Sequence, residues 1–226
     1  MLDFSTSQGH LAKVLRSLLH RFPYRGYLPI LQGQARGMLW RRSSGDDGYW
    51  LGSYESYKQR ALAPFLRPGA VFYDIGAYAG FYTLIACKKG ARVYSFEPDE
   101  SNLRLLREHV AANRCVATVL GFAVSDKDGI ERFRTHESPT GHQLSDDGDR
   151  EVAVRSIDSL VREIDPPTII KIDAEGAEEK ILAGAKETIM KYRPVIFVEG
   201  VREDFEVLLP GYTLHEIHSG EYMCLP

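Results

Sequence analysis

The sequence predicts an α/β protein in which a doubly wound, mostly parallel sheet carries helices on both faces. From residue 70 onward, short apolar runs alternate with helical segments of 10 to 16 residues. Connections of that length join parallel strands, because an antiparallel hairpin needs only a few residues. The first apolar run also leads into a glycine-rich turn, which is typical of sheets that bind a ligand at the carboxyl ends of their strands.

The composition is that of an ordinary globular protein and excludes several classes. The 226 residues are 44% hydrophobic, and 28 Lys and Arg against 31 Asp and Glu give a net charge of −3. This charge removes the electrostatic argument for a general nucleic-acid or anionic-membrane binder. No apolar run is long enough to span a membrane, and the start of the chain does not resemble a signal peptide. Three widely spaced cysteines without zinc-ligand spacing suit a reducing compartment, so we expect a cytoplasmic protein.

The pattern of the chain changes at residue 69. Residues 1–69 are predicted to form an appendage on the substrate side, and residues 70–226 are predicted to form the ligand-binding domain. An amphipathic helix is predicted over residues 8–22, where it packs on the body or, alternatively, lies on a membrane surface. Residues 23–69 contain prolines and a polar turn, which predicts irregular structure and short strands.

The pattern of the larger domain predicts five strands and three helices. The strands cover residues 71–75, 92–97, 118–124, 168–173 and 195–198, and the helices cover residues 80–89, 100–112 and 177–192. Residues 130–135 and 152–155 are predicted to form an inserted antiparallel pair, joined by a mobile polar loop at 136–150. Residues 212–217 and 222–225 are predicted to form a terminal hairpin around Ser219 and Gly220.

The turn after the first strand predicts a cofactor site. Asp74, Gly76 and Gly80 form the pattern D-x-G-x-x-x-G instead of a dinucleotide fingerprint. A carboxylate at this point would repel a pyrophosphate but attract an ammonium group, and the glycines allow a close approach of the backbone. S-adenosylmethionine fits, with its amine near Asp74 and its carboxylate on backbone N–H groups at the helix start. The alternative is a tight turn without a ligand.

Two further strand ends extend this predicted site. Glu97 lies 23 residues beyond Asp74 at the end of the second strand, where an acid accepts hydrogen bonds from both ribose hydroxyls. A solvated acid is the alternative reading. The end of the third strand, Ala123 to Ser125, is predicted to cover the adenine ring, although Asp126 could instead begin a turn.

The fourth and fifth strands end in residues that predict the catalytic centre. Strand alternation places Lys171 and Asp173 on the same face, with Glu175 and Glu199 nearby at the same sheet edge. Asp173 is predicted to act directly as a base, its pKa raised by the clustered acids. Alternatively, Asp173 and Glu199 could share a divalent ion. We favour the metal-free version, because no further ligand is visible at fixed spacing.

These motifs make the sequence resemble the FkbM family of S-adenosylmethionine-dependent methyltransferases over about residues 28–226. The resemblance rests on WLGSYE at 50–55, DIGAYAGFYT at 74–83, FEPDESN at 96–102, AVSD at 123–126 and KIDAEGAE at 171–178. It implies a Rossmann-like class I fold with a seven-stranded sheet whose last strand is antiparallel. It also implies O-methylation of a hydroxyl group on a small molecule or glycan. The cofactor contacts implied in these segments include Tyr54, Glu55, Ala77, Tyr78, Thr83, Pro98, Asn102, Ala123, Val124 and Ser125.

The sequence departs from the family at two positions. Tyr78 stands where the family usually has Asn, which leaves one contact to the methionine end of the cofactor open. Glu199 is not closely followed by His, so we expect no histidine base at that edge, and His136 and His142 are the nearest other titrating groups. Residues 50–55, which have no other evident core partner, are predicted to pack over the cofactor as part of a lid.

Two other functions stay open from the sequence. In a nucleic-acid 2′-O-methyltransferase, Lys171 and Asp173 would assist a ribose hydroxyl, but the net charge and the lack of a visible RNA-binding appendage argue against it. A non-catalytic cofactor-binding protein is the other alternative, and the intact cofactor motif argues against it. The expected partner is a small-molecule or glycan acceptor, and the oligomeric state is not predicted.

Overall fold

The computed structural model describes residues 26–134, 143–145, 147–200 and 202–226. The predicted helix at 8–22 and the central part of the predicted loop at 136–150, with His136 and His142, lie outside these residues. Within the described residues, no helix is long and apolar enough to cross a membrane.

Thirteen strands and eight helices are present in the described parts of the chain. The strands are β1 (Tyr27–Pro29), β2 (Leu39–Arg41), β3 (Val71–Ile75), β4 (Arg92–Phe96), β5 (Ala117–Leu120), β6 (Ala123–Val124), β7 (Gly129–Arg134), β8 (Gln143–Leu144), β9 (Arg150–Arg155), β10 (Ile169–Ile172), β11 (Val195–Glu199), β12 (Thr213–His218) and β13 (Glu221–Leu225). The helices are α1 (Asp47–Leu51), α2 (Ser56–Leu62), α3 (Phe81–Lys88), α4 (Glu100–Ala112), α5 (Ile157–Leu160), α6 (Glu178–Ala183), α7 (Lys186–Tyr192) and α8 (Arg202–Leu208).

The main sheet has seven strands in the order β12-β13-β11-β10-β3-β4-β5. Strands β11, β10, β3, β4 and β5 run parallel, and β13 runs antiparallel to both β11 and β12. The terminal hairpin and the seven-stranded sheet are therefore confirmed. The chain winds outward in one direction from β3 and in the other from β10, which makes the neighbouring ends of β3 and β10 the place where such sheets bind ligands.

The N-terminal segment, residues 26–69, shares a hydrophobic core with the sheet. Trp40, Trp50 and Leu62 are buried in one cluster with Phe72 and Phe81. Residues 50–55 thus have the core partners that the sequence did not reveal. The boundary at residue 69 separates two sequence patterns but does not separate two cores.

Two short helices replace part of the irregular structure predicted for the N-terminal segment. Asp46 caps the start of helix α1, because its side chain accepts a hydrogen bond from the backbone N–H of Gly48. Gly52, with φ +78°, caps the end of the helix. Helix α2 follows over seven residues. Elements of this length are too short to show a full apolar period, which is why the pattern did not predict them.

Two predicted elements of the larger domain are divided by glycines. The predicted third strand breaks at Gly121, where a Cβ would lie 2.8 Å from a methyl carbon of Leu103, so that β5 joins the main sheet and β6 a second one. The predicted helix at 177–192 breaks at Gly184, where a Cβ would lie 2.2 Å from the carbonyl oxygen of Ser125. At Gly184 the backbone approaches another backbone segment so closely that only glycine fits, whereas at Gly121 the close neighbour is a leucine side chain.

The predicted insertion forms a second sheet in the order β6-β9-β7-β8. Strands β7 and β9 pair antiparallel, as predicted. Arg150 at the start of β9 donates a hydrogen bond of 2.6 Å to Asp99, the residue that caps helix α4. This ion pair holds the second sheet beside the carboxyl ends of β4 and β5.

Candidate active site

A cavity that is open to solvent lies at the carboxyl ends of β3, β4 and β10. Glu97 lines one end of it and Asp173 lines the other. The predicted site residues on its wall are Tyr54, Gly76, Ala77, Tyr78, Glu97, Pro98, Asn102, Ala123, Val124, Lys171, Asp173 and Glu175. The structure therefore brings residues from five separate sequence motifs to one surface.

Asp74 and Thr83 do not line this cavity, which corrects the prediction of direct cofactor contacts. Both are fully buried beneath the wall. The Thr83 hydroxyl donates a hydrogen bond of 2.7 Å to Asp74, and the other Asp74 oxygen lies 3.4 Å from the Lys171 ammonium. Asp74 therefore acts as the counter-ion that allows a lysine to be buried at this position.

The two glycines of the first motif have different neighbours. At Gly76 (φ +68°) a Cβ would lie 1.8 Å from the carbonyl oxygen of Asp173, so this glycine lets the loops after β3 and β10 touch. At Gly80 the space of a Cβ is taken by Leu106 of α4, 2.4 Å away, so this glycine serves helix packing and does not reach the cavity.

Three backbone N–H groups of the loop after β3 are paired within the protein. Those of Gly76 and Ala77 both donate to the carbonyl oxygen of Phe96, at 3.1 Å each. That of Tyr78 donates to the Glu97 carboxylate. The loop is thereby fixed to the end of β4.

Three other predicted residues lie beside the cavity and not on its wall. The Ser125 hydroxyl donates to Glu131 at 2.7 Å and ties the end of β6 to β7. Glu55 accepts a hydrogen bond of 2.7 Å from the Tyr82 hydroxyl. Glu199 is exposed at the end of β11, next to the mouth.

Glu97 is a buried carboxylate held by backbone dipoles. One of its oxygens accepts from the N–H of Tyr78 at 2.8 Å, and the other accepts from the N–H of Asp99 at 2.9 Å. Burial raises the pKa of Glu97 to about 7, although these two hydrogen bonds act in the opposite direction. Its remaining lone pairs face a cavity in which hydroxyl groups can donate to them.

Asp173 is held by positive charges instead. Its Oδ2 atom lies 3.4 Å from the Lys171 ammonium and 3.9 Å from the Lys58 ammonium, and its side chain is 25% exposed to the cavity. Burial alone would raise the pKa of Asp173, but the two lysines outweigh it and hold this pKa below its usual value. The prediction that clustered acids raise the pKa of Asp173 is therefore wrong. The repulsion acts on Glu175 and Glu199, whose pKa values are raised by burial and by the charge of Asp173.

Sequence reasoning missed three buried residues around Asp173. Lys58 of α2 pairs with Glu221 at the start of β13 at 2.7 Å and with Glu55 at 3.0 Å. The Tyr82 ring lies beneath both lysines, 5.5 Å from the Lys171 ammonium and 6.0 Å from that of Lys58. No motif marks Lys58 or Glu221, since their partners are distant in sequence.

An aromatic wall closes one side of the cavity. Tyr54 stacks on Tyr49 with ring centres 4.0 Å apart, and both rings meet Phe81 edge-on. Tyr78 lies against Tyr49 at 5.9 Å. On the opposite side, the second sheet contributes Phe133, Gln143 and Leu144. Of residues 50–55, Tyr54 thus lines the cavity as a packed part of its wall, and the predicted lid over the cofactor stays a prediction.

The parallel sheet with its antiparallel last strand, and the cavity at the switch between β3 and β10, define a class I methyltransferase fold. A tRNA (uracil-54, C5)-methyltransferase from Pyrococcus abyssi, solved with S-adenosyl-L-homocysteine, has the same fold. It aligns with 90% of this chain and 44% of its own, at 14% identity and a TM-score of 0.51.

Residues 74–219, more than half of the chain, match the Methyltransferase FkbM domain. The chain therefore belongs to the FkbM methyltransferase family. The match confirms the resemblance that the sequence motifs indicated.

Two curated proteins are similar to this chain in sequence. The hexuronic acid methyltransferase AglP of Haloferax volcanii is 29% identical over 132 residues, which are 56% of this chain and 54% of AglP. The 31-O-demethyl-FK506 methyltransferase FkbM of Streptomyces tacrolimicus is 28% identical over 190 residues, with 65% of this chain and 73% of that protein covered. The chain thus spans about half the length of AglP.

Proposed function

We propose that this protein is an O-methyltransferase that moves the methyl group of S-adenosylmethionine to a hydroxyl group of a small molecule or glycan. The observation that carries the proposal is the placement of an ionised Asp173 on the wall of the same cavity that holds Glu97. One carboxylate is suited to bind a ribose and the other to accept a proton.

The residues at the Glu97 end fit the nucleoside part of S-adenosylmethionine. Glu97 offers oxygen acceptors to a pair of hydroxyls, and its backbone partners keep it oriented. Phe96, Val124 and Leu144 supply apolar surface next to it for a purine ring. When bound, S-adenosylmethionine supplies an activated methyl group on a sulfonium.

Asp173 is suited to remove the hydroxyl proton of the acceptor. As the acceptor oxygen forms its bond to carbon, it gains positive charge and its proton becomes strongly acidic, so a carboxylate of low pKa is a sufficient base. Its low pKa also keeps Asp173 deprotonated, and therefore ready to accept a proton, at neutral and mildly acidic pH. The new bond joins oxygen to carbon, the carbon–sulfur bond breaks, and the proton goes to Asp173.

The positive charges around Asp173 favour a metal-free centre. Two ammonium groups lie within 3.9 Å of its Oδ2 atom. Among the described residues, no group of three or more His, Cys, Asp or Glu side chains is arranged to hold a metal ion.

The mouth of the cavity favours a small acceptor over a nucleic acid. Glu175 and Glu199 are exposed there and would repel a phosphate backbone. A hydroxyl on a glycan or on a small molecule is supported by the two curated relatives, whose names give a hexuronic acid and a demethylated FK506 as their methyl acceptors.

A methyl-transfer assay with isotopically labelled S-adenosylmethionine tests the proposal. The full chain is incubated with panels of saccharides, hydroxylated small molecules and RNA, and the product is examined for a methyl ether by NMR. We expect label on an oxygen of a saccharide or small molecule. Label on nitrogen, on carbon or on RNA would contradict the proposal.

A further inference from the structure

Lys58 is a buried lysine of the N-terminal segment, and it lies beside Asp173 at the carboxyl end of β10. Its side chain is 5% exposed, and its ammonium contacts three carboxylates that belong to three different parts of the chain. Glu221 lies 2.7 Å away, Glu55 lies 3.0 Å away and Asp173 lies 3.9 Å away. Glu221 in turn accepts a hydrogen bond from the Tyr57 hydroxyl, which fixes its orientation.

Lys58 and Lys171 are far apart in the sequence, but their ammonium groups both lie within 3.9 Å of the same oxygen atom of Asp173. Lys171 comes from β10 and has Asp74 as a second partner, whereas Lys58 comes from α2 and has Glu55 and Glu221. The charged and titratable groups that face Asp173 from all neighbouring elements are Lys58, Lys171, Asp74, Glu55, Glu175, Glu199, Glu221, Tyr49, Tyr54 and Tyr82.

Among these groups, acids outnumber the two lysines. Without Lys58, Asp173 would keep one ammonium and would still face the carboxylates of Glu55, Glu175, Glu199 and Glu221. Negative charges nearby favour the protonated form of a carboxyl group. A protonated Asp173 cannot accept the proton of the acceptor hydroxyl.

We propose that Lys58 is a positioning residue of the methyl-transfer centre, which keeps Asp173 ionised and turned towards the acceptor. The proposal rests on the proposed role of Asp173 as the proton acceptor. It makes the N-terminal segment part of the catalytic centre: α2 carries Lys58, and Glu55, one of its partners, directly precedes that helix.

The experiment measures the titration of Asp173 directly, by NMR of the full chain labelled with ¹³C at aspartate carboxyl groups. The Asp173 signal is assigned by its loss in Asp173→Asn. In Lys58→Met we expect the titration midpoint of Asp173 to rise by at least one pH unit, a tenfold change in the protonation ratio. Lys58→Arg, which keeps the charge, should restore the low midpoint.

The double variant Lys58→Met/Glu221→Gln guards against misfolding, because it removes the lysine together with the acid nearest to it. Its Asp173 midpoint should also rise, since the lysine acts on Asp173 more strongly than Glu221 does. Exposed Lys186→Met is the matched control and should leave the midpoint unchanged. An unchanged Asp173 midpoint in both Lys58→Met and the double variant would overturn the proposal.

The second measurement is the dependence of the methyl-transfer rate on pH. In Lys58→Met the acid side of this profile should move to higher pH together with the Asp173 midpoint, and in Lys58→Arg it should return to the wild-type position. A rate that falls equally at all pH values would show a merely structural role and would also overturn the proposal. The NMR titration needs no turnover, so a failure of the proposed acceptor chemistry is distinguishable from a failure of the role of Lys58.

Discussion

The two ends of the cavity each present a carboxylate at the end of a parallel strand, and they stabilise it in opposite ways. Glu97 is held by two backbone N–H groups, and burial raises its pKa to about 7. Asp173 is held by two ammonium groups, and its pKa is lowered in spite of burial. Fixed dipoles orient a charge without neutralising it, whereas counter-ions offset the cost of removing it from water.

This difference suits the two tasks that we propose. A carboxylate that binds hydroxyl groups needs orientation more than charge, and its backbone partners cannot rotate away. A carboxylate that receives a proton must be deprotonated when the acceptor arrives. The contact between the two loops at Gly76 and Asp173 joins the ends into one surface, and the variants below separate their contributions.

The largest effect is expected from Gly76→Ala, which would disrupt the contact between the two ends. The new Cβ would lie 1.8 Å from the Asp173 carbonyl oxygen at a φ of +68°, so we expect a loss of about 4 kcal/mol in the free energy of unfolding. Gly37→Ala is the control, since its φ is +85° but no atom lies within 4 Å, and it should cost only about 1 to 2 kcal/mol. Urea denaturation measures both, and equal losses would contradict the close contact.

Asp173→Asn should affect turnover and spare cofactor binding. We expect a loss of 10² or more in the rate of methyl transfer, about 2.7 kcal/mol, with the dissociation constant of S-adenosylmethionine within about tenfold of the wild-type value. Exposed Glu151→Gln controls for the loss of one negative charge. A variant with full turnover would remove Asp173 from the mechanism.

Glu97→Ala, unlike Asp173→Asn, should weaken cofactor binding, by about 2 kcal/mol, the scale of hydrogen bonds to a charged group. Calorimetry with S-adenosylmethionine measures this, with exposed Glu100→Ala as the control. Because the pKa of Glu97 is about 7 in the free protein, wild-type affinity should also fall as the pH is lowered from 8 to 6. Unaltered binding by the variant would show that the ribose lies elsewhere.

A smaller effect, on the pH dependence of stability, is expected at His109, which connects the N-terminal segment to the loop after β3. His109 accepts from the N–H of Arg41 at 2.9 Å and donates to the carbonyl oxygen of Ala79, and burial lowers its pKa to about 4. Since the unfolded chain binds a proton near pH 6.5 and the folded chain does not, stability is lost on acidification, by about 1 kcal/mol between pH 7 and 5.5. His109→Asn should flatten this dependence, whereas exposed His215→Asn should not.

Local patterns predicted the surroundings of Glu97 better than those of Asp173. Glu97 and Asp173 were both found from their positions at strand ends, because parallel strands bring their carboxyl ends to one edge. The backbone partners of Glu97 lie 2 and 19 residues away, both within motifs that the sequence marks. The partners of Asp173 include Lys58, which lies 115 residues earlier in the chain.

The errors have the same physical origin. The pKa of Asp173 was predicted in the wrong direction because the acids near it are visible in sequence and the buried lysine on α2 is not. Asp74 was predicted to meet the cofactor because its spacing places it at a strand end, but its side chain turns towards Lys171. Spacing along a strand fixes where a residue lies, and tertiary partners decide what its side chain contacts.

The division of the cavity into two ends is tested most directly by a crystal structure of the full chain with S-adenosylhomocysteine. We predict that the ribose hydroxyls donate to the Glu97 carboxylate and that the sulfur atom lies on the side of Asp173. A ribose bound away from Glu97, or a sulfur turned away from Asp173, would contradict the account.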